Sequence, residues 1–395
     1  MAQFKKASLL CAIVAGLCLI ASSAIAGPVW TFGPEDQGLM KLDYKGQFQF
    51  NMRDNGSGSD GDDSTNEFNF RRNRLALMGA WGQHFGLYVQ TEYNEDNNIT
   101  PFNVTDGNNS DFQLLDAVLR FKYNSAFNLW AGKFKYNLTR ENLESCEEPL
   151  TLDRSVLLRA PLASEGTRDK GVAVWGNLFN DKFQYRFDVM NGRNDSSSAP
   201  KSNFRYTARA HVSLLDPETG YGYRGTYMGE KKVLTIGAAY QFENDVAYAD
   251  TVAGDAVDYS AWTVDLFFEY PVEDVGTFTL SAAYADYDLD DAYQGANPEG
   301  GVIGLTGEKN GGYIKAGYML PNLPLQFFAR AENWSFANLD NCIDQEVDWY
   351  GGGVNYYFRG QNLKLTMELS QVDYDIEEGN VEDFTTFTTQ LQVIF

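Results

Sequence analysis

Apolar and polar residues alternate with a period of two through most of the chain. Residues 40–53 show the pattern best. Met40, Leu42, Tyr44, Gly46, Phe48, Phe50 and Met52 fall on one side, and Lys41, Asp43, Lys45, Gln47, Gln49, Asn51 and Arg53 on the other. Successive side chains of a strand point to opposite faces, so this spacing predicts a sheet with one apolar and one polar surface. The pattern predicts sixteen strands, near 40–53, 68–81, 85–93, 113–123, 127–136, 169–179, 182–190, 204–214, 232–242, 259–270, 277–287, 311–320, 325–335, 348–359, 362–372 and 384–395. A soluble sandwich would bury the apolar set. A barrel in lipid would turn that set outward and enclose the polar one.

The connections separate the two architectures. Tight turns are expected at Gly82-Gln83-His84, Asn124-Ser125-Ala126, Asn180-Asp181, Pro271 to Gly276, Pro321-Asn322 and Gly360-Gln361. The alternate connections, such as 54–67, 94–111, 137–168 and 288–310, are long and polar. Short turns at one rim and long loops at the other are how outer-membrane barrels are built. The segment 215–231 breaks the rule, being a long connection on the tight-turn side, rich in Gly and Tyr. Trp81, Tyr93, Tyr123, Tyr270 and Trp334 lie near strand ends, where interface girdles need amphipathic rings. The final strand puts Phe387, Thr389, Leu391, Val393 and Phe395 on one face. Such a strand ending in Phe is expected to be read by the barrel-assembly machinery, and pairing it with the first strand would remove both open edges. The expected fold is all-β, a 16-stranded antiparallel transmembrane β-barrel over residues 27–395.

Residues 1–26 read as an export signal. Lys5 and Lys6 precede a short apolar run, Leu9 to Ile20, and Ala24-Ile25-Ala26 offers a small-x-small cleavage site. The whole chain has 31 basic and 54 acidic residues, a net charge of −23. A nucleic-acid partner would need a basic surface and is not expected. The expected surroundings are outer-membrane lipid and lipopolysaccharide.

Charge changes the picture once it is assigned to faces. The polar strand faces carry Arg72, Arg74, Arg120, Lys122, Lys133, Lys135, Arg186, Arg205 and Arg209, a basic lumen wall weighted toward the first eight strands. The acids lie mainly in the long loops. Cationic linings favour anions in a narrow pore, although pairing with nearby acids would leave them only to hydrate the lumen. The 137–168 loop is the candidate constriction. Folded inward, its Glu141, Glu144, Glu147, Glu148 and Asp153 would face the basic wall beside its own Arg140, Arg154 and Arg159. Beyond the export signal only Cys146 and Cys342 remain, both in long loops, so one loop-locking disulfide or two thiols are open alternatives. The only histidines, His84 and His211, form no grouping with Ser, Cys or acids that would carry catalysis or hold a metal. No enzyme activity and no cofactor are expected.

Several short motifs resemble the phosphate-selective porin O and P family. They are Gly132-Lys133-Phe134-Lys135, Glu141-Asn142-Leu143 with Ser145, Asp153-Arg154-Ser155 and Arg168-Asp169-Lys170-Gly171-Val172. Asn191-Gly192, Arg209, Arg330 and Gly353-Val354-Asn355-Tyr356-Tyr357 followed by Asn362 and Lys364 add to them. The resemblance implies a sixteen-stranded barrel, usually trimeric, with inward-folded loops and a basic pore. It matches Lys133 and Lys135 to the family's basic position, and Arg72 and Arg74 to its lumen arginines. The acidity of the loops departs from the family, because an acidic mouth repels phosphate. The expected function is passive diffusion of small hydrophilic solutes and ions with a mild preference for anions. Phosphate or oxyanion selectivity is one alternative, and an envelope-organising surface protein with cation-binding acidic loops is the other.

Overall fold

The computed structural model describes residues 27–93, 112–155, 159–163, 166–193, 199–302, 307–337, 344–376 and 382–395. The export signal, the 94–111 loop and Cys342 lie outside the described residues. The strands are β1 (Val29–Phe32), β2 (Gly38–Ser57), β3 (Asp63–Trp81), β4 (Phe85–Tyr93), β5 (Gln113–Asn124), β6 (Phe127–Lys135), β7 (Arg168–Leu178), β8 (Phe183–Met190) and β9 (Arg205–Ser213). They continue with β10 (Val233–Asp250), β11 (Asp255–Val272), β12 (Gly276–Asp288), β13 (Lys309–Met319), β14 (Leu325–Ala337), β15 (Asp344–Tyr357), β16 (Leu363–Tyr374) and β17 (Phe384–Ile394).

Strands β2 to β17 pair antiparallel in chain order, and β17 returns to β2, closing a barrel of sixteen strands. Polar lumen side chains repeat the closure. Gln47 donates to Gln392 at 2.7 Å, Gln49 to Gln390 at 2.9 Å, and Thr388 to Asn51 at 2.9 Å. Closure pairs β17 with β2 and so removes the open edges of the sixteen-strand sheet, as a sheet in lipid requires. Phe395 ends its strand beside Tyr44, with N–H to carbonyl bonds of 2.6 and 3.0 Å in the two directions. Below that point β1 takes over the free edge of β2, pairing Val29 with Lys41 and Phe32 with Gly38. The run Val-Trp-Thr-Phe does not alternate cleanly, so the sequence pattern does not predict β1.

Burial is inverted relative to a soluble protein. Phe48, Leu75, Leu119 and Phe187 are each at least 40 % exposed, while Gln49, Asn51, Arg72 and Gln390 are at most 1 % exposed. The apolar faces thus wait for lipid, and the polar faces enclose the lumen. Trp81 and Tyr123 are exposed at the tight-turn rim, but Trp334 is fully buried inside the barrel, packed with Phe336 and Val347. It does not belong to an interface girdle, because in β14 it falls on the lumen face with Glu332 and Arg330. Two expected loops are largely ladder. The β2–β3 hairpin runs to Ser57 and Asp63, and the β10–β11 hairpin to Asp250 and Asp255.

Candidate functional site: a braced lumen

The 137–168 loop folds into the barrel rather than over its mouth. One helical turn, α1 (Arg140–Leu143), starts at Thr139, whose hydroxyl accepts from Asn142 N at 2.9 Å. Leu138 and Leu143 need apolar neighbours, and a loop crossing a lumen must find partners for its backbone. Wall side chains supply them. Gln47 donates to Cys146 O, Gln392 to Glu147 O and Asn355 to Leu150 O at 2.8–3.1 Å, and Glu368 accepts from Leu152 N at 2.8 Å. Arg209 donates to Leu138 O at 3.2 Å.

The loop carboxylates meet the wall cations. Glu147 lies 3.4 Å from Lys45 and 3.2 Å from Arg74, and Glu141 lies 2.8 Å from Lys315. Asp153 accepts from Arg71 at 2.5 Å and Arg72 at 3.0 Å. Both arginines reach it because β3 bulges here: Gln47 pairs with Arg72 and Phe48 with Phe70, leaving Arg71 as the extra residue. Burial opposes ionisation of Glu147 and Asp153, but the cations beside them hold both well below the usual carboxylate range. Glu148 pairs with Arg224 at 3.3 Å. Burial and then the neighbouring Glu141 push the Glu144 carboxyl up to about 8.

A second element enters from the opposite rim. The segment 215–231 does not sit outside as a turn. Tyr223 N donates to Leu143 O at 3.2 Å, Ser145 N to Tyr223 O at 2.9 Å, and Gly225 N to Glu148 O at 2.9 Å. Arg140 grips Glu218 with two bonds of 2.9 and 2.8 Å. Burial alone would raise Glu218, yet Arg140 beside it brings its carboxyl down to about 2. Gly225 is required at the junction: a Cβ there would lie 2.5 Å from Leu150 N and 2.6 Å from a Glu144 carboxylate oxygen. Loop and turn together form a brace across the lumen. On the β10–β12 side, Tyr136, Leu138, Val246, Tyr259, Tyr287 and Val302 pack with at most 2 % exposure. Between the brace and β2–β7 a cavity of about 220 Å³ remains. Five cations line it, Lys45, Arg74, Arg120, Lys135 and Arg168, against two carboxylates, Asp116 and Glu147.

The expected wall residues do not share one environment. Arg72 and Arg74 point inward and pair with acids, Arg74 also with Glu92 at 2.5 Å. Arg205 pairs with Glu243 at 2.6 Å and Arg209 with Asp265 at 2.7 Å, the latter across Gly237, whose missing side chain leaves the path open. Arg186 lies under the inward turn, donating to Gly220 O at 3.2 Å. Lys135 lines the cavity and donates to Glu144 O at 2.8 Å, with Cys146 Sγ 3.8 Å away. Arg120 lines it as well, its guanidinium 4.3 Å from the Trp130 ring centre and 4.9 Å from that of Tyr88.

Two placements correct the sequence reading. Lys133 does not line the lumen: its ammonium bonds Leu114 O at 2.9 Å in an exposed position, and Leu129 and Ala131, on its side of β6, line an apolar groove on the outer surface. β6 is apolar on both faces, with Trp130 and Phe134 inside, so alternation could not orient it. Lys122 is exposed at the tight-turn rim. His84 sits at that rim, its Nδ1 2.7 Å from Lys122 O, and His211 is buried with Nδ1 2.7 Å from the Tyr223 hydroxyl. Among the described residues no three His, Cys, Asp or Glu side chains gather to hold a metal ion. The pattern alone did not reveal Arg71, Arg168, Glu218 or the inward course of 215–231. The Gly and Tyr content of that segment was the available signal.

Comparison with solved structures supports the barrel. OmpF of Salmonella typhi, solved in complex with daunomycin, superimposes with a TM-score of 0.60 at 13 % identity, covering 92 % of this chain and 99 % of that one. OmpT of Vibrio cholerae in its trimer form gives 0.55 at 13 % identity over 91 % and 99 %. The outer-membrane channel DcaP of Acinetobacter baumannii gives 0.54 at 15 % identity over 94 % and 100 %. At these identities the likeness is one of fold. No curated protein matches the chain in sequence. A model of the phosphate-selective porin O and P family matches residues 42–395, which takes in the closed barrel except for the first four residues of β2, together with its lumen brace, and the chain therefore belongs to that family.

Proposed function

We propose that this outer-membrane channel passes small hydrophilic solutes and ions passively, with a mild preference for anions. One observation carries the reading: the cavity left beside the brace is lined by five cations and two carboxylates. Elsewhere in the lumen, acids of the loop and of the wall pair with basic residues: Asp153 with Arg71 and Arg72, Glu141 with Lys315, Glu243 with Arg205 and Asp265 with Arg209. A narrow pore with excess positive charge favours anions, and the small excess favours a weak preference. The pairing of Arg71, Arg72 and Arg74 with loop carboxylates speaks against a dedicated phosphate ladder built from those residues. Export by residues 1–26 and assembly as a homotrimer, as in the trimer form of the Vibrio OmpT structure, complete the reading. The test is reconstitution in a planar bilayer under a potassium chloride gradient. A stable current reversing on the anion-selective side supports it. A current governed by cations would make the acidic mouth the selectivity filter.

A further inference from the structure

Arg120 differs from its neighbours in the cavity. Arg74 pairs with Glu92 and Glu147, Lys45 with Glu147, and Arg168 lies 3.4 Å from Asp116. Arg120 makes no ion pair among the described residues, and its Nε is buried without a hydrogen bond. It is held instead by rings, over Trp130 at 4.3 Å and Tyr88 at 4.9 Å. Trp130 in turn stacks on Tyr221 of the inward turn at 3.9 Å, with Phe134 edge-on to Tyr221 at 6.1 Å. A guanidinium kept in place by cation–π contact retains its fork of donors for an incoming anion.

We propose that this cavity is a transit subsite for small planar aromatic carboxylates, with Arg120 binding the carboxylate and the Trp130–Tyr221 pair the ring. The proposal rests on the channel reading above and names its preferred solute. An apolar ring gains from aromatic surface and a carboxylate from an unneutralised guanidinium. Inorganic phosphate would use the cations but gain nothing from the rings, and it would lose hydration against them. A benzoate-sized molecule fits a volume of about 220 Å³.

The test is single-channel recording in potassium chloride with sodium benzoate, cyclohexanecarboxylate, acetate or inorganic phosphate added at equal concentration. Benzoate is expected to interrupt the current in a concentration-dependent way, at concentrations at least tenfold lower than acetate or phosphate, with cyclohexanecarboxylate between. Arg120→Gln and Trp130→Leu should each raise the half-blocking benzoate concentration at least fivefold, and Arg120→Lys, which keeps the charge without the fork, should raise it less. Equal block by phosphate and benzoate, block by none of the anions, or benzoate block unaltered in both Arg120→Gln and Trp130→Leu overturns the subsite and leaves the channel standing. Absence of any current in potassium chloride alone overturns the channel reading, and the subsite with it.

Discussion

Glu147→Gln isolates the charge of the constriction from its shape. The substitution keeps the volume of the side chain and its contact with Ser145 Oγ at 2.9 Å, and removes one of two carboxylates facing five cations in the cavity. At about 5 Å in water a unit charge is worth about 0.8 kcal/mol. A Debye length of about 10 Å at 0.1 M salt trims this to about 0.5 kcal/mol. The loss acts with opposite sign on chloride and potassium, so their relative permeability shifts by about 1 kcal/mol, or about fivefold toward chloride. The loop should stay in place, because Asp153 and Glu141 still anchor it to Arg71, Arg72 and Lys315. The assay is the reversal potential across a planar bilayer under a salt gradient, compared with the unsubstituted chain. An unchanged ratio, or a shift toward potassium, would refute the placement of Glu147 at the passage.

Three further outcomes follow from the brace. Replacing 216–230 by an Asn-Gly turn removes the partner of Arg140 and the Tyr221 and Tyr223 contacts, so single-channel conductance should rise at least twofold; no rise would put the turn outside the narrow zone. Gly225→Ala drives a Cβ within 2.6 Å of both Leu150 N and Glu144, a strain of about 1–3 kcal/mol, which limited proteolysis should report as faster cleavage between 140 and 155. Glu144 is raised to about 8 against an ordinary 4.5. The stability this group contributes is therefore complete below about 4.5 and is lost as pH rises through about 8, where the carboxyl takes a charge at the loop–turn junction. Current noise should increase between pH 7 and 9 and stay flat in Glu144→Gln.

The strands were readable because lipid and lumen impose opposite demands on successive residues, and every stretch of clean alternation, from Met40–Arg53 to Phe387–Phe395, became a strand. Where both faces carry apolar side chains, as in β6 with Leu129 outside and Trp130 inside, alternation loses its direction and points Lys133 to the wrong face. Arg71 is not legible as a lumen residue, because a bulge adds a residue without leaving a mark in the pattern. The acids of the 137–168 loop were legible as candidates facing a basic wall. Their partners were not, since Glu141 meets Lys315 and Ser155 meets Glu332 across about half the chain. The inward course of 215–231 depends on Asn177, Gln184 and Arg186 of β7 and β8 donating hydrogen bonds to its Thr219 and Gly220 carbonyls, which no local spacing encodes.

In this barrel the apolar side of each strand meets lipid, while the lumen is polar and internally braced. Tryptophan quenching by brominated lipids tests it directly, using one variant that retains only Trp262 and one that retains only Trp334. Trp262 is 43 % exposed on the outer surface and Trp334 is fully buried inside. Trp262 should be quenched strongly and Trp334 little; equal quenching of the two would mean that the outer face does not meet lipid.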